Sequence, residues 1–138
     1  MIRLVLDTNI IISAFSRKSQ YRMVLDRLLA GSYQLCVSND IMLEYEEKLK
    51  EKFNEEVAEI FVATIELLPN AVKVDPHYQF QLIKADPDDN KFVDCAIAAN
   101  ASYLVSNDKH FRILRDIPFP KVQLLSMTEL VSLVSNVG

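Results

Sequence analysis

Three aspartates of this chain, Asp7, Asp94 and Asp108, stand where a carboxylate is costly, and they are the residues best placed to do chemistry. Asp7 ends the apolar run of Ile2, Leu4, Val5 and Leu6, and Asp108 closely follows the run Ser102 to Ser106. Asp94 lies inside the apolar stretch Phe92 to Ala101. A mid-helix aspartate carries a propensity penalty and, in a helix this apolar, risks burial, so it is expected only where it binds something. Asp89 belongs to Asp86-Pro87-Asp88-Asp89-Asn90, which holds three carboxylates in four residues just before that helix. One or two acids would suffice to meet the positive end of a helix dipole. Asp94 also lies one helical turn beyond Asn90, on the same face.

Carboxylates gathered at one point repel one another. A pair about 4 Å apart costs about 4 kcal/mol at an effective dielectric near 20. A cluster of three or four must therefore bind protons or a cation. An all-oxygen donor set without histidine or cysteine favours Mg²⁺ or Mn²⁺ over zinc. Such ions bind phosphate oxygens, activate water and stabilise the leaving oxygen of an in-line displacement. Local capping is the ordinary reading of Asp7 or Asn9, and equally of Asp108 before Lys109 to Leu114. The recurrence of a carboxylate after two strands argues for more than capping.

The surrounding elements must bring these acids together. The run from Ile2 is too short for a helix and suits a strand buried on both faces. Ile10 to Phe15 can start a helix, Ser13 to Arg22 reads as a polar connection, and Tyr21 to Ala30 has helical apolar spacing ending at Gly31. Tyr33 to Ser38 is a second strand, followed by Asn39 or Asp40 as a helix cap. A helix from Ile41 to Phe53 carries an apolar stripe of Ile41, Tyr45, Leu49 and Phe53. Its acids pair with lysines at helical spacing, Glu44 with Lys48 and Glu46 with Lys50. Pattern alone leaves Glu44 among these surface acids.

A further helix, Asn54 to Leu68, shows Val57, Ile60, Phe61, Ile65 and Leu68 on one side and ends at Pro69, making an αα-hairpin with its predecessor. Ala71 to Val74 is a third strand, and His77 to Ala85 has no clear pattern. Ser102 to Ser106 is the fourth strand, Val122 to Leu125 the fifth, and Ser126 to Val134 a final helix opened by Thr128 and Glu129. Strands alternating with helices over the whole length predict one α/β domain, residues 1–138, with a mainly parallel sheet and right-handed crossovers. In such sheets ligands bind outside the carboxyl ends of the strands, where Asp7 and Asp108 fall.

Composition sets the bounds. With 138 residues, half of them apolar, the chain can bury one good core. Its net charge of −4 argues against a basic nucleic-acid coat protein but not against nucleic acid bound through metal ions. The N-terminal run is interrupted by Asp7 and Asn9, and no apolar run approaches a bilayer span, so a soluble, cytoplasmic protein without membrane association is expected. Cys36 and Cys95 read as buried reduced thiols, and His77 and His110 have no ligand-spaced partner. Arg17, Lys18, Arg22 and Arg27 form the densest positive cluster, and the first three are candidates for contacts to an RNA backbone.

Four segments carry a family resemblance: L-D-T-N-I-I-I-S-A (Leu6 to Ala14), S-N-D-I-M-L-E-Y (Ser38 to Tyr45), D-P-D-D-N-K-F-V-D-C-A-I-A-A (Asp86 to Ala99) and Y-L-V-S-N-D-K-H-F (Tyr103 to Phe111). In this order they resemble the PIN-domain proteins, specifically the small prokaryotic group of VapC-type toxins of toxin–antitoxin systems. The resemblance implies a three-layer α/β/α sandwich around a five-stranded sheet and a Mg²⁺- or Mn²⁺-dependent ribonuclease acting on RNA. It assigns the catalytic acids to Asp7, Glu44, Asp94 and Asp108, with Asp89 as a further metal ligand and Thr8, Asn9 and Ser106 as polar supports, and Asn90, one turn before Asp94 on the same face, joins the supports from its position. It also implies a homodimer and a cognate antitoxin partner. Two rivals stand beside it. A haloacid-dehalogenase-like phosphatase would use a strand-end aspartate as nucleophile, but its usual second acid is replaced here by Asn9. A catalytically silent PIN-like module would only bind a partner, which the four filled acid positions disfavour.

Overall fold

Leu4, Val5 and Leu6 are wholly buried in β1 (Arg3–Leu6), as a strand covered on both faces requires. The computed structural model describes residues 1–16 and 20–135. After β1 come α1 (Thr8–Phe15), α2 (Met23–Leu29), β2 (Gln34–Val37), α3 (Asn39–Lys52), α4 (Glu55–Leu67) and β3 (Ala71–Lys73). The chain continues through a 3₁₀ turn (Pro87–Asp89), α5 (Asn90–Ala98), β4 (Tyr103–Val105), a 3₁₀ helix (Lys109–Asp116), β5 (Leu124–Leu125) and α6 (Met127–Ser135).

The five strands lie in the order β3-β2-β1-β4-β5 and every pairing is parallel, so the mainly parallel sheet predicted is wholly parallel. From β1 the chain steps outward to β3, then returns across the sheet to β4 on the other side of β1. Right-handed crossovers put α1 to α4 on one face and α5 on the opposite face, giving three layers. The reversal makes the gap between β1 and β4 the topological switch point, where open parallel sheets hold ligands. Register completes the arrangement. Leu6 pairs with Val105, so Asp7 and Ser106, the next residues of each strand, emerge side by side.

Local punctuation follows familiar physics. Gly31 takes φ +81° just past α2, and the bonds from Ser32 N–H to the Arg27 carbonyl (2.9 Å) and from Gly31 N–H to Leu28 (3.1 Å) close a Schellman turn. Ser38, rather than Asn39 or Asp40, caps α3 by accepting from the Ile41 N–H at 3.3 Å. α1 runs on to Phe15, because Ile12, Ala14 and Phe15 continue the apolar packing into what reads in sequence as a polar connection. α5 begins at Asn90, two residues before its apolar stretch, because the 3₁₀ turn leads directly into it. Ile60 and Phe53 share apolar stripes yet stay largely exposed, at 58% and 42%, while the helical pair buries Ile41, Met42, Tyr45, Leu49, Ala58, Phe61 and Ile65. Ile60 and Leu29 instead edge an apolar groove between α2 and α4.

Beneath the switch point sits Tyr45, fully buried, whose hydroxyl donates to the carbonyl of Leu6. That bond fastens α3 to the last residue of β1. Replacing Tyr45 by Phe leaves the buried Leu6 carbonyl without this donor, and we expect a stability loss of about 1–3 kcal/mol. Urea unfolding of Tyr45→Phe against wild type measures it; indistinguishable midpoints would show that the hydroxyl is not an anchor.

Candidate active site at the sheet switch point

Six buried side chains among the described residues are polar or charged: Asp7, Thr8, Ser38, Asn70, Asp94 and Ser106. Ser38 caps a helix, and the Asn70 amide donates to the carbonyls of Leu28 and Tyr33. The other four lie among the sequence-predicted site residues, so buried polarity in this core is concentrated where the strands β1 and β4 end.

Asp7 is only 6% exposed. Its backbone N–H donates to Val105 at 3.0 Å, which holds the residue in line with β4. The Ser106 hydroxyl donates to Asp7 Oδ2 at 2.7 Å and accepts from the Asp108 N–H at 2.9 Å, so one serine joins the two strand-end acids. Asp7 occupies the cap position of α1, where its side chain forms no cap hydrogen bond of ordinary geometry and the Asn9 N–H bears on it only through the pKa. Burial raises its pKa above the ordinary aspartate value, the Ser106 hydroxyl and the Asn9 backbone lower it, and the charges of Glu44 and Asp108 raise it again.

Glu44 comes to the same point from α3. It accepts from the Thr8 hydroxyl and from Lys91 Nζ at 2.8 Å, in a pair whose side chains are about one-fifth exposed. The expected surface pairing of Glu44 with Lys48 does not form, because Glu44 faces inward to these partners while Lys48 reaches Glu51 at 3.4 Å. Glu46 and Lys50 do approach, at 3.6 Å. Burial lowers the Lys91 pKa, but its hydrogen bond and charge interaction with Glu44 outweigh that and leave it raised.

Asp89 arrives from the 3₁₀ turn. Its pKa is pushed up to about 6, first by burial and then by the charges of Asp86, Asp108 and Asp7, against a lowering by His110. The charges of Asp7 and Asp108 thus both reach Asp89. Asp108 also caps the following 3₁₀ helix, accepting from the His110 N–H at 2.9 Å, so its ordinary reading holds alongside the clustering.

Asp94 is buried like Asp7, at 7% exposure, but in a different setting. Burial raises its pKa and the Phe80 N–H, donating to its Oδ1 at 3.1 Å, lowers it. No neighbouring carboxylate contributes to that shift. Its carboxylate lines a cavity of about 500 Å³ with Asp40, Gln79, Lys84 and Lys91. Asp94 therefore stands beside the acid group, with Lys91 bordering both.

The predicted supports divide. Thr8 and Ser106 are buried and bonded to acids. Asn9 is exposed and only its backbone bears on Asp7. Asn90 clasps the segment before it, donating to the Ile83 carbonyl at 2.8 Å and accepting from the Ile83 N–H at 2.9 Å. Arg17 and Lys18 lie outside the described residues, and Arg22 donates to the Phe15 carbonyl at 3.3 Å near Asp26. Two site residues escape sequence reasoning. Lys91 is one lysine directly after three acids, and that adjacency is the only signal it offers. His110 has Asp108 two residues before it, and in the fold its Nδ1 lies 3.5 Å from both Asp89 and Asp108.

Carboxylate oxygens suit a hard divalent cation, and among the described residues the ligand atoms that approach within 4.8 Å of one another belong to Asp86, Asp89 and His110, with Asp7 and Asp108 bearing on Asp89 through their charges.

Comparison with known proteins agrees with this architecture. No curated protein sequence matches the chain. Among solved structures, VapBC2 from Rickettsia felis, determined bound to a DNA fragment from their promoter, superposes with TM-score 0.62 at 20% identity, covering 91% of this chain and 98% of that one. DNA-bound VapBC from Salmonella typhimurium superposes with TM-score 0.55 at 16% identity over 92% of this chain and 99% of that one. The PIN-domain family profile matches residues 3–110, which include every acid of the site, and the chain belongs to the PIN-domain family.

Proposed function

We propose that this protein is a metal-dependent endoribonuclease of the VapC type, the toxin half of a toxin–antitoxin pair. The observation that carries this reading is the electrostatic coupling of Asp7 to Glu44 and Asp108, and of Asp89 to Asp7 and Asp108, at the switch point, with the Asp7 pKa raised first by burial and then by these charges. Asp7, Asp89 and Asp108 would hold Mg²⁺ or Mn²⁺, with Asp94 completing the site from its neighbouring wall. When bound, the ion supplies positive charge for a phosphodiester and lowers the pKa of an attacking water. Ser106 keeps Asp7 and Asp108 in fixed relation, and Thr8 with Lys91 does the same for Glu44. No covalent protein intermediate is needed, which suits an Asn9 that is exposed rather than a second acid. The exposed apolar groove between α2 and α4 supports a protein partner such as an antitoxin or a second copy of the chain. Among the described residues no helix is long and apolar enough to cross a membrane, in keeping with a cytoplasmic protein.

The direct test is cleavage of single-stranded RNA in Mg²⁺ or Mn²⁺. Asp7→Asn and Asp108→Asn should each lower the rate by about a hundredfold or more, the scale of losing several kcal/mol of charge stabilisation. Asp94→Asn should also lose activity. Cleavage by all variants at the wild-type rate would overturn the site assignment, and no cleavage by wild type with any RNA offered would favour a partner-binding module.

A second expectation concerns stability. The folded pKa of Asp89 is about 6 against 3.8 in its ordinary state, so the folded protein holds a proton that the unfolded chain releases. Asp89 alone should therefore lower the stability of the metal-free protein by at most about 3 kcal/mol before solvent screening as pH rises from about 4 to about 6, and Asp7 and Asp94, also raised, act in the same direction. Asp89→Asn should flatten that fall, and added Mn²⁺ should reverse it by binding the folded state alone. Thermal melts across this pH range decide it, and a flat wild-type profile would contradict the clustered-acid electrostatics.

A further inference from the structure

The segment that links β3 to the 3₁₀ turn is irregular, yet α5 holds it at two points. Asp94 accepts from the Phe80 N–H at 3.1 Å, and the Asn90 amide grips the N–H and carbonyl of Ile83 at 2.9 and 2.8 Å. Between these clamps Gln81 takes φ +54°, a left-handed conformation that a residue with a side chain keeps where its surroundings impose it. Tyr78 and Phe80 pack ring against ring, with centroids 4.6 Å apart. The two residues that alternate with them, Gln79 and Gln81, line the cavity of about 500 Å³ beside α5. The wall that carries both amides is therefore fixed before any ligand arrives.

A cavity of this size receives a small molecule or one unit of a polymer. Ile83 and Pro87 give it apolar surface on which a flat ring can lie. Its polar groups set the rest of the ligand's chemistry. Carboxylates of Asp40, Asp88 and Asp94 outnumber the ammonium groups of Lys84 and Lys91, which disfavours a phosphate inside and favours a hydrogen-bond donor. Among the described residues these three acids are not gathered closely enough to hold a metal ion together. Gln79 and Gln81 are exposed, and each amide can donate and accept. A planar ring that bears an amino group beside a ring acceptor matches this set, with the amino group meeting a carboxylate and the acceptor an amide. Cytosine and adenine present such an edge, whereas uracil presents a carbonyl oxygen in place of the amino group. Position identifies the polymer. Lys91 lines the cavity and donates to Glu44 at 2.8 Å, so the cavity adjoins the acid group.

We propose that this cavity is a subsite for one unpaired base of single-stranded RNA, selecting a base with an exocyclic amino group, and that Gln79 and Gln81 are its specificity-determining residues. The subsite deepens the ribonuclease reading above, on which it rests for the identity of the polymer.

The test compares fluorescently labelled oligocytidine and oligouridine of equal length, bound to the full chain in the presence of a chelator so that nothing is cut. The two backbones meet the same repulsion from the acids, so the ratio of dissociation constants reads the base. Oligocytidine should bind about tenfold more tightly. A double variant, Gln79→Ala with Gln81→Ala, should bring the ratio within about threefold while leaving the melting temperature unchanged, since both side chains are exposed. Gln79→Glu, which still accepts but no longer donates, should keep the cytidine preference. Equal binding of the two oligomers, binding of neither, or a preference that survives the double variant each overturns the proposal. Mn²⁺ is then added in excess of the chelator. Cleavage without base preference leaves the ribonuclease reading standing and removes this subsite; a cytidine preference in binding without cleavage supports the subsite and overturns that reading.

Discussion

Burial of the Asp7 carboxylate at the end of β1 is the constraint to which the rest of the site responds. The residue cannot retreat to water, because its own N–H is tied to Val105 and Leu6 before it is packed in the sheet and fastened by Tyr45. A lone buried charge is unstable, so neighbours must neutralise it, hydrogen-bond it or keep it protonated. Ser106 provides the hydrogen bond, and it can do so because parallel register sets it beside Asp7. The same hydroxyl then accepts from Asp108, so satisfying one acid fixes the position of the next.

Magnitudes show why hydrogen bonding alone does not suffice. A charge-assisted hydrogen bond contributes about 1.5–3 kcal/mol, and repulsion between carboxylates about 4 Å apart is about 4 kcal/mol per pair. Glu44 is compensated internally by Lys91, and Asp94 has the Phe80 N–H and no acidic neighbour raising it. Asp7, Asp89 and Asp108 have instead a serine hydroxyl, a backbone N–H and the imidazole of His110. A cation bound among these acids would invert the sign of this one spot in a chain of net charge −4. Acidity overall and a phosphodiester substrate are compatible on that basis.

How much of this is legible in the sequence depends on whether the deciding interaction is local. Short apolar runs mark four of the strands well, and Asp7 and Asp108 stand out because each follows one. Strand order is not local: nothing in the spacing of Leu6 and Val105 says that they pair, yet that pairing makes the site. Glu44 disappears among the acids of α3 because its partners, Thr8 and Lys91, come from other elements. His110 reads as isolated because its companion Asp89 is distant in sequence. Asp94 shows the converse limit. Its burial is readable from the apolar residues around it, whereas the direction of its carboxylate is set by the loop at Phe80.

Ligands drawn from such scattered elements couple chemistry to folding. Asp7 and Ser106 are 99 positions apart, and neither β1 nor β4 in isolation holds more than one acid of the group. An unfolded chain therefore has no site, so the free energy of cation binding adds to that of folding. The two 3₁₀ segments differ from the strands in this respect, because Asp86 with Asp89 and Asp108 with His110 are each pre-arranged by hydrogen bonds within a single turn. The sheet supplies long-range registration and the turns supply short-range pairs.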